Sequence, residues 1–127
     1  MTIQERQILN VTLIHLGGRV TRPDDANLLR DTLQRLIGQG RINLVLDCQE
    51  VPYIDSEALA IVIRTHTTLG RRGGQLKLLR VTGYLRELLT ITRLSSVFEI
   101  FDSEADAVAS FSPGGTDPGV TARTGTE

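Results

Sequence analysis

The residues of this chain best suited to chemistry stand together at Asp55, Ser56 and Glu57. They follow a strand-like run and precede an apolar helical pattern, so they fall where a helix should begin. The backbone N–H groups at a helix start have no partner within the helix and carry partial positive charge. A serine there can cap the helix, or its hydroxyl can accept a phosphate that the same N–H groups help to hold.

The residue types alone do not decide whether Ser56 caps the helix or is modified. Both Asp55 and Ser56 can cap a helix, so one of them is free for another role. A helical wheel places Leu59 and Val62 on a stripe facing the sheet and Ile61 on the opposite face. An outward Ile61 beside Ser56 is then a candidate contact for another protein.

The elements around this segment alternate between strand and helix patterns. Strands are predicted at residues 7–16, with a short edge strand near 2–5, at 42–46 with one face buried, at 75–79 and at 97–101. Helices are predicted from Pro23, behind Asp55, over 83–92 and from Ser103. Such alternation implies an α/β fold in which crossover helices join a mostly parallel sheet of four to five strands with about four helices.

Length and composition exclude several classes of function. The 127 residues suggest one domain, residues 1–111, followed by a disordered tail at 112–127 that is rich in Gly, Pro, Thr and Ser. A net charge of −1 and 4% aromatic residues argue against a nucleic-acid partner. A lone Cys48 and the lack of a long apolar run predict a cytoplasmic protein without membrane insertion.

Catalysis and cofactor binding are not expected. Two histidines and one cysteine provide no metal-ligand spacing. No base accompanies Ser56 in the sequence as a triad would require, and Gly73-Gly74 lacks the surrounding pattern of a phosphate-binding loop. We therefore predict a protein that is not an enzyme and holds no metal or other cofactor.

The central segment resembles the signature of STAS domains, the fold shared by anti-sigma factor antagonists and the cytoplasmic tails of sulfate transporters. In antagonists an aromatic and an apolar residue precede Asp-Ser-Ser/Thr-Gly-Leu. Those places are taken here by Tyr53-Ile54-Asp55-Ser56-Glu57-Ala58-Leu59. Further matching blocks lie at residues 72–78, 85–89, 92–94 and 98–107, so the resemblance covers nearly all of residues 7–111.

The resemblance implies the STAS fold and a role in partner switching. In bacterial antagonists the serine after the aspartate is phosphorylated by an anti-sigma factor that is itself a serine kinase. The unphosphorylated antagonist binds that kinase and frees the sigma factor, and a PP2C-type phosphatase resets the phosphorylated form. By this match Ser56 is the phosphorylation site. The partner-binding residues are expected to be Thr21, Asp55, Ser56, Glu57, Ala60 and Ile61.

Five positions depart from the family pattern, one of them being Arg93 in place of the glycine usual before Leu94. Glu57 and Ala58 replace the second hydroxyl residue and the glycine, while Arg19 and Thr21 replace two acids in a loop that lies near the phosphosite. These changes bear on the identity of the partner. Two other functions therefore stay open. A stressosome-type scaffold subunit would form a homo-oligomer of very large size in gel filtration. The STAS component of a lipid ABC transporter would co-purify with the transporter ATPase.

Overall fold

A computed structural model describes residues 1–111, so the predicted disordered tail at 112–127 lies outside the described residues. The strands are β1 (Thr2–Ile8), β2 (Val11–Gly17), β3 (Asn43–Glu50), β4 (Gln75–Leu79) and β5 (Ile100–Phe101). The helices are α1 (Pro23–Gly38), α2 (Ser56–Arg71), α3 (Gly83–Ile91) and α4 (Glu104–Ala109), and a 3₁₀ turn spans Leu94–Ser96. Within residues 1–111 no helix has the length and apolar character needed to cross a bilayer.

The strands form one sheet in the order β1-β2-β3-β4-β5, and the pairs from β2 to β5 are parallel. The predicted α/β class, with a mostly parallel five-stranded sheet and four helices, is therefore confirmed. Helices α1, α2 and α3 contribute to a larger core that includes Leu44 and Leu46. On the opposite face, Val45 belongs to a smaller core with residues of α4. Strand β3 is thus buried on both faces, and the prediction of one buried face was wrong.

The first two strands form an antiparallel hairpin, so the prediction of one continuous strand over residues 7–16 was wrong. Strands β1 and β2 pair from Thr2↔Gly17 to Ile8↔Val11, and the chain reverses at Leu9. Leu9 adopts a φ of 55°, a conformation in which turns usually place glycine or asparagine. The second turn residue, Asn10, is a common turn former, but the apolar Leu9 beside it continues the strand-like pattern, and the break was missed.

Of the two glycines predicted to precede β4, Gly73 adopts a φ of 80° and Gly74 is required by packing. A Cβ atom on Gly74 would lie 2.1 Å from the carbonyl oxygen of Ile42, so the close approach of these backbones admits only glycine. The last strand is shorter than predicted, since β5 contains only Ile100–Phe101. Leu94–Ser96 forms the 3₁₀ turn, and Phe98 turns into the larger core instead of continuing the strand.

Candidate functional site

Asp55, and not Ser56, caps helix α2. The Asp55 backbone is extended, and its Oδ1 accepts a hydrogen bond from the N–H of Ala58 at 2.9 Å. Ser56 is the first residue of the helix and is exposed. Its hydroxyl has no hydrogen-bond partner within residues 1–111. The structure therefore assigns the cap to the aspartate and leaves the serine oxygen accessible at the positive end of the helix.

The backbone that presents Ser56 is fixed by a neighbouring loop. Val20 and Ile54 form a parallel β-bridge, and both side chains are buried. The N–H of Val20 donates to the carbonyl of Tyr53 at 2.9 Å, and the N–H of Asp55 donates to the carbonyl of Val20 at 2.9 Å. This register places Thr21, which is half-buried, beside Asp55.

The structure brings together most of the predicted partner-binding residues. Thr21 lies beside Asp55, and Glu57 is exposed in the first turn of α2 next to Ser56. Ala60 is half-buried one turn further along the helix. Its accessible surface is therefore limited.

Ile61 is not part of the exposed surface, and its prediction as a partner contact was wrong. Its side chain is 3% exposed and belongs to the larger core. The physical reason is that α1 packs alongside α2, so the buried arc of α2 is wider than the stripe that faces the sheet. Ile61 is a core residue.

An aromatic stack next to the site was not anticipated. The rings of Tyr53 and Tyr84 stack with centroids 4.8 Å apart, and the Arg19 guanidinium lies 5.3 Å from the Tyr53 centroid. Partial burial, together with the neighbouring Tyr53, raises the pKa of Tyr84. The sequence does contain a signal for this contact, since Tyr84 follows β4 closely and loops after parallel strands meet at one edge of the sheet.

A second polar cluster lies on the side of the sheet that α4 partly covers. The Asp47 carboxylate pairs with His15 Nδ1 at 2.7 Å and with the Arg80 guanidinium at 2.8 Å, and it also accepts from the Gln49 N–H at 3.2 Å. Asp47 is 6% exposed. The cluster ties the carboxyl ends of β2, β3 and β4 together, so we assign it a structural role.

Metal and thiol chemistry find no support in the described part of the chain. Among residues 1–111, no three His, Cys, Asp or Glu side chains are placed to hold a metal ion. Burial raises the pKa of the Cys48 thiol to about 12, and the negative charge of Asp47 makes a smaller contribution in the same direction. This thiol is therefore protonated at neutral pH and is a poor nucleophile.

The distinction between cap and free hydroxyl can be measured. Replacing Asp55 with Ala should lower the free energy of unfolding by about 1 kcal/mol, because the N–H of Ala58 loses its acceptor. Replacing Ser56 with Ala should change it by less than about 0.5 kcal/mol, as is usual for an exposed side chain without a partner. Urea unfolding followed by circular dichroism compares the two variants. An equal or larger loss for Ser56→Ala would contradict the assignment of the cap.

The fold and the exposed serine after a capping aspartate are the features of a STAS domain. The chain belongs to the STAS domain family, whose model matches residues 2–107. The resemblance identified from the sequence is thereby confirmed. A protein of Bordetella bronchiseptica that is named as an anti-sigma factor antagonist, BtrV, is 28% identical over 92 residues, which cover 72% of this chain and 79% of that protein.

Solved structures of antagonists share the fold. An anti-sigma factor antagonist from Mycobacterium paratuberculosis matches with a TM-score of 0.76 and 20% identity, covering 86% of this chain and 92% of that chain. SpoIIAA in its unphosphorylated form matches with a TM-score of 0.68 and 16% identity, covering 87% and 97%. The phosphorylated form of SpoIIAA from Bacillus matches with a TM-score of 0.72 and 17% identity, covering 87% and 100%.

Proposed function

We propose that this protein is an anti-sigma factor antagonist that binds an anti-sigma serine kinase and is released when Ser56 is phosphorylated. One observation carries the proposal. Asp55 already caps α2, so the Ser56 hydroxyl is exposed and free at the helix start. The names of BtrV and SpoIIAA support the class, and SpoIIAA is known in both a phosphorylated and an unphosphorylated form.

The chemistry is the transfer of a phosphoryl group to a serine. The Ser56 oxygen attacks the γ-phosphorus of ATP, a new P–O bond forms, and the bond to ADP breaks. The hydroxyl proton passes to a base of the kinase. The product gains about −1.5 to −2 charges at neutral pH. The start of α2 stabilises this anion by roughly 0.3–1 kcal/mol, so the phosphate can be held without unfolding the domain.

The neighbouring carboxylates convert the modification into a switch. Asp55 and Glu57 flank Ser56, so the phosphate creates a dense cluster of negative charge. A kinase surface shaped for a neutral hydroxyl would have to face that charge, and like charges across an interface cost several kcal/mol. A nearly complete switch requires about 5.5 kcal/mol of differential affinity. Local repulsion can therefore supply most of the switch while the fold stays unchanged. A PP2C-type phosphatase that hydrolyses the exposed phosphate would restore the binding form.

The site of modification can be tested by mass. The chain is incubated with ATP and each anti-sigma serine kinase of the source organism, and the intact mass is measured. The wild type should gain one phosphate, and the Ser56→Ala variant should gain none. Ser95→Ala is the matched control, because Ser95 is also exposed but lies in the 3₁₀ turn. Equal phosphate uptake by Ser56→Ala and the wild type would overturn the proposal, as would no uptake with any of these kinases.

A further inference from the structure

A row of apolar side chains lies on the outer surface of α3. Tyr84, Leu88 and Ile91 are spaced four and three residues apart, so they share one face of the helix. Tyr84 is 44% exposed and Ile91 is 75% exposed, while Leu88 is half-buried. We call these three residues the α3 ridge. Leu85 and Leu89 anchor α3 in the larger core, so the fold does not depend on the exposed parts of the ridge.

The α3 ridge is continuous with the surroundings of Ser56. Its first residue, Tyr84, stacks on Tyr53, which lies three residues before Ser56 in the segment fixed by the Val20–Ile54 bridge. A protein that reaches the Ser56 oxygen therefore lies next to this stack. The kinase of the proposed function is the protein that must approach here.

The stack also carries the positive charge of Arg19. The guanidinium of Arg19 lies over the Tyr53 ring, and within residues 1–111 it forms no ion pair. Contact with an aromatic ring restricts the side chain while leaving its N–H donors available. A planar guanidinium held in this way is suited to a carboxylate of a binding partner.

We propose that the α3 ridge, Tyr53 and Arg19 form a second part of the kinase-binding surface. The kinase would present an apolar groove to the ridge and a carboxylate to Arg19. This inference rests on the proposed function and deepens it. Ile91 lies at the far end of α3 from the Tyr84 stack, so it is the ridge residue least affected by a phosphate on Ser56. The ridge and Arg19 thus select which kinase binds, whereas Ser56 determines whether it stays bound.

The test compares charge changes within the proposed surface with a charge change outside it. The kinase that phosphorylates Ser56 is titrated with unphosphorylated Ile91→Asp and Arg19→Glu in a calorimeter. Each variant should bind at least about tenfold more weakly than the wild type, as expected for residues at the centre of an interface. Arg72→Glu is the matched control for Arg19→Glu, because it makes the same charge change at the exposed C-terminal end of α2. Its affinity should lie within about twofold of the wild type.

A spectroscopic measurement locates the contact directly. The chain has only two tyrosines, so labelling with 3-fluorotyrosine places the probes in the stack and nowhere else. Both fluorine resonances should shift when the kinase is added. If Ser56 is phosphorylated but both variants bind like the wild type, the proposal of a second binding surface is wrong and the proposed function still stands. Both fall together if no kinase modifies Ser56. The proposal of a second binding surface is also wrong if Ile91→Asp abolishes self-association in sedimentation while kinase binding stays normal, since the ridge would then bind a second copy.

Discussion

Phosphorylation of Ser56 should weaken binding to the anti-sigma kinase by at least about a hundredfold, because several kcal/mol of repulsion develop between like charges. The effect arises at one exposed oxygen that lies between Asp55 and Glu57. Protein carrying phosphoserine at position 56 can be made by genetic incorporation, without any kinase. Calorimetry then compares its affinity with that of the unmodified chain.

Graded variants separate charge from shape. Ser56→Asp adds one negative charge and fewer acceptor oxygens than phosphate, so it should weaken binding by a smaller factor, about tenfold. Ser56→Ala should bind nearly as the wild type does, since it adds no charge at the interface. Phosphoserine incorporated at Ser95 is the control for added charge elsewhere. An unchanged affinity of the Ser56 phospho-form would refute the charge mechanism, and a crystal structure of that form with a displaced α2 would refute its local character.

The second large effect is expected on stability. Replacing Asp47 with Asn should lower the free energy of unfolding by about 2–3 kcal/mol, because the ion pair with Arg80 is lost and the hydrogen bond with His15 is weakened. The figure lies at and below the lower end of the range for broken buried pairs, since the Arg80 side chain is 30% exposed and is screened by solvent. Chemical unfolding at neutral pH measures the difference. Asp102→Asn is the control, because the Asp102 side chain is 91% exposed and should contribute little.

The same carboxylate predicts how stability depends on pH. Burial alone would raise the pKa of Asp47, but hydrogen bonds from Arg80, the Gln49 N–H and His15 outweigh it, and the net effect lowers the pKa. The folded state therefore favours the ionised form. Its contribution is fully present above the unfolded pKa of about 4 and is lost as the pH falls through the lower, folded pKa.

Melting temperatures between neutral and strongly acidic pH check the sign of this effect. The wild type should lose stability in the acid range, and its advantage over Asp47→Asn should shrink there. An advantage that grows as the pH falls would contradict the assigned direction.

Most of the fold could be predicted because its signals are local. Pro23 opens α1, and the Ser103 side chain accepts from the N–H of Asp106 as the sequence of a helix start predicts. The errors arose where a signal was absent or came from elsewhere in the chain. The turn at Leu9 and Asn10 was missed because the apolar Leu9 extends the strand-like pattern beside a single turn residue. Ile61 belongs to the core to which both α1 and α2 contribute, and a helical wheel of α2 takes no account of the packing between these helices.

The sequence predicted the central residues of the candidate site but not the aromatic side chains around them. The sequence identified Asp55 and Ser56, but their backbone geometry was needed to show which of them caps the helix. Thr21 was expected near the site through the family resemblance, and the register of the Val20–Ile54 bridge places it there. The stack joins Tyr53, in the segment after β3, to Tyr84, at the start of α3, so its signal lies in the order of the strands and not in a local pattern.

The β-bridge between Val20 and Ile54 has a kinetic consequence. Because its hydrogen bonds already hold the segment before Ser56 in place, no ordering step has to follow the encounter with a partner. Association should then proceed at a rate set by diffusion, orientation and ionic strength. Changes in affinity would then appear mainly in the dissociation rate, which sets how long the kinase stays bound.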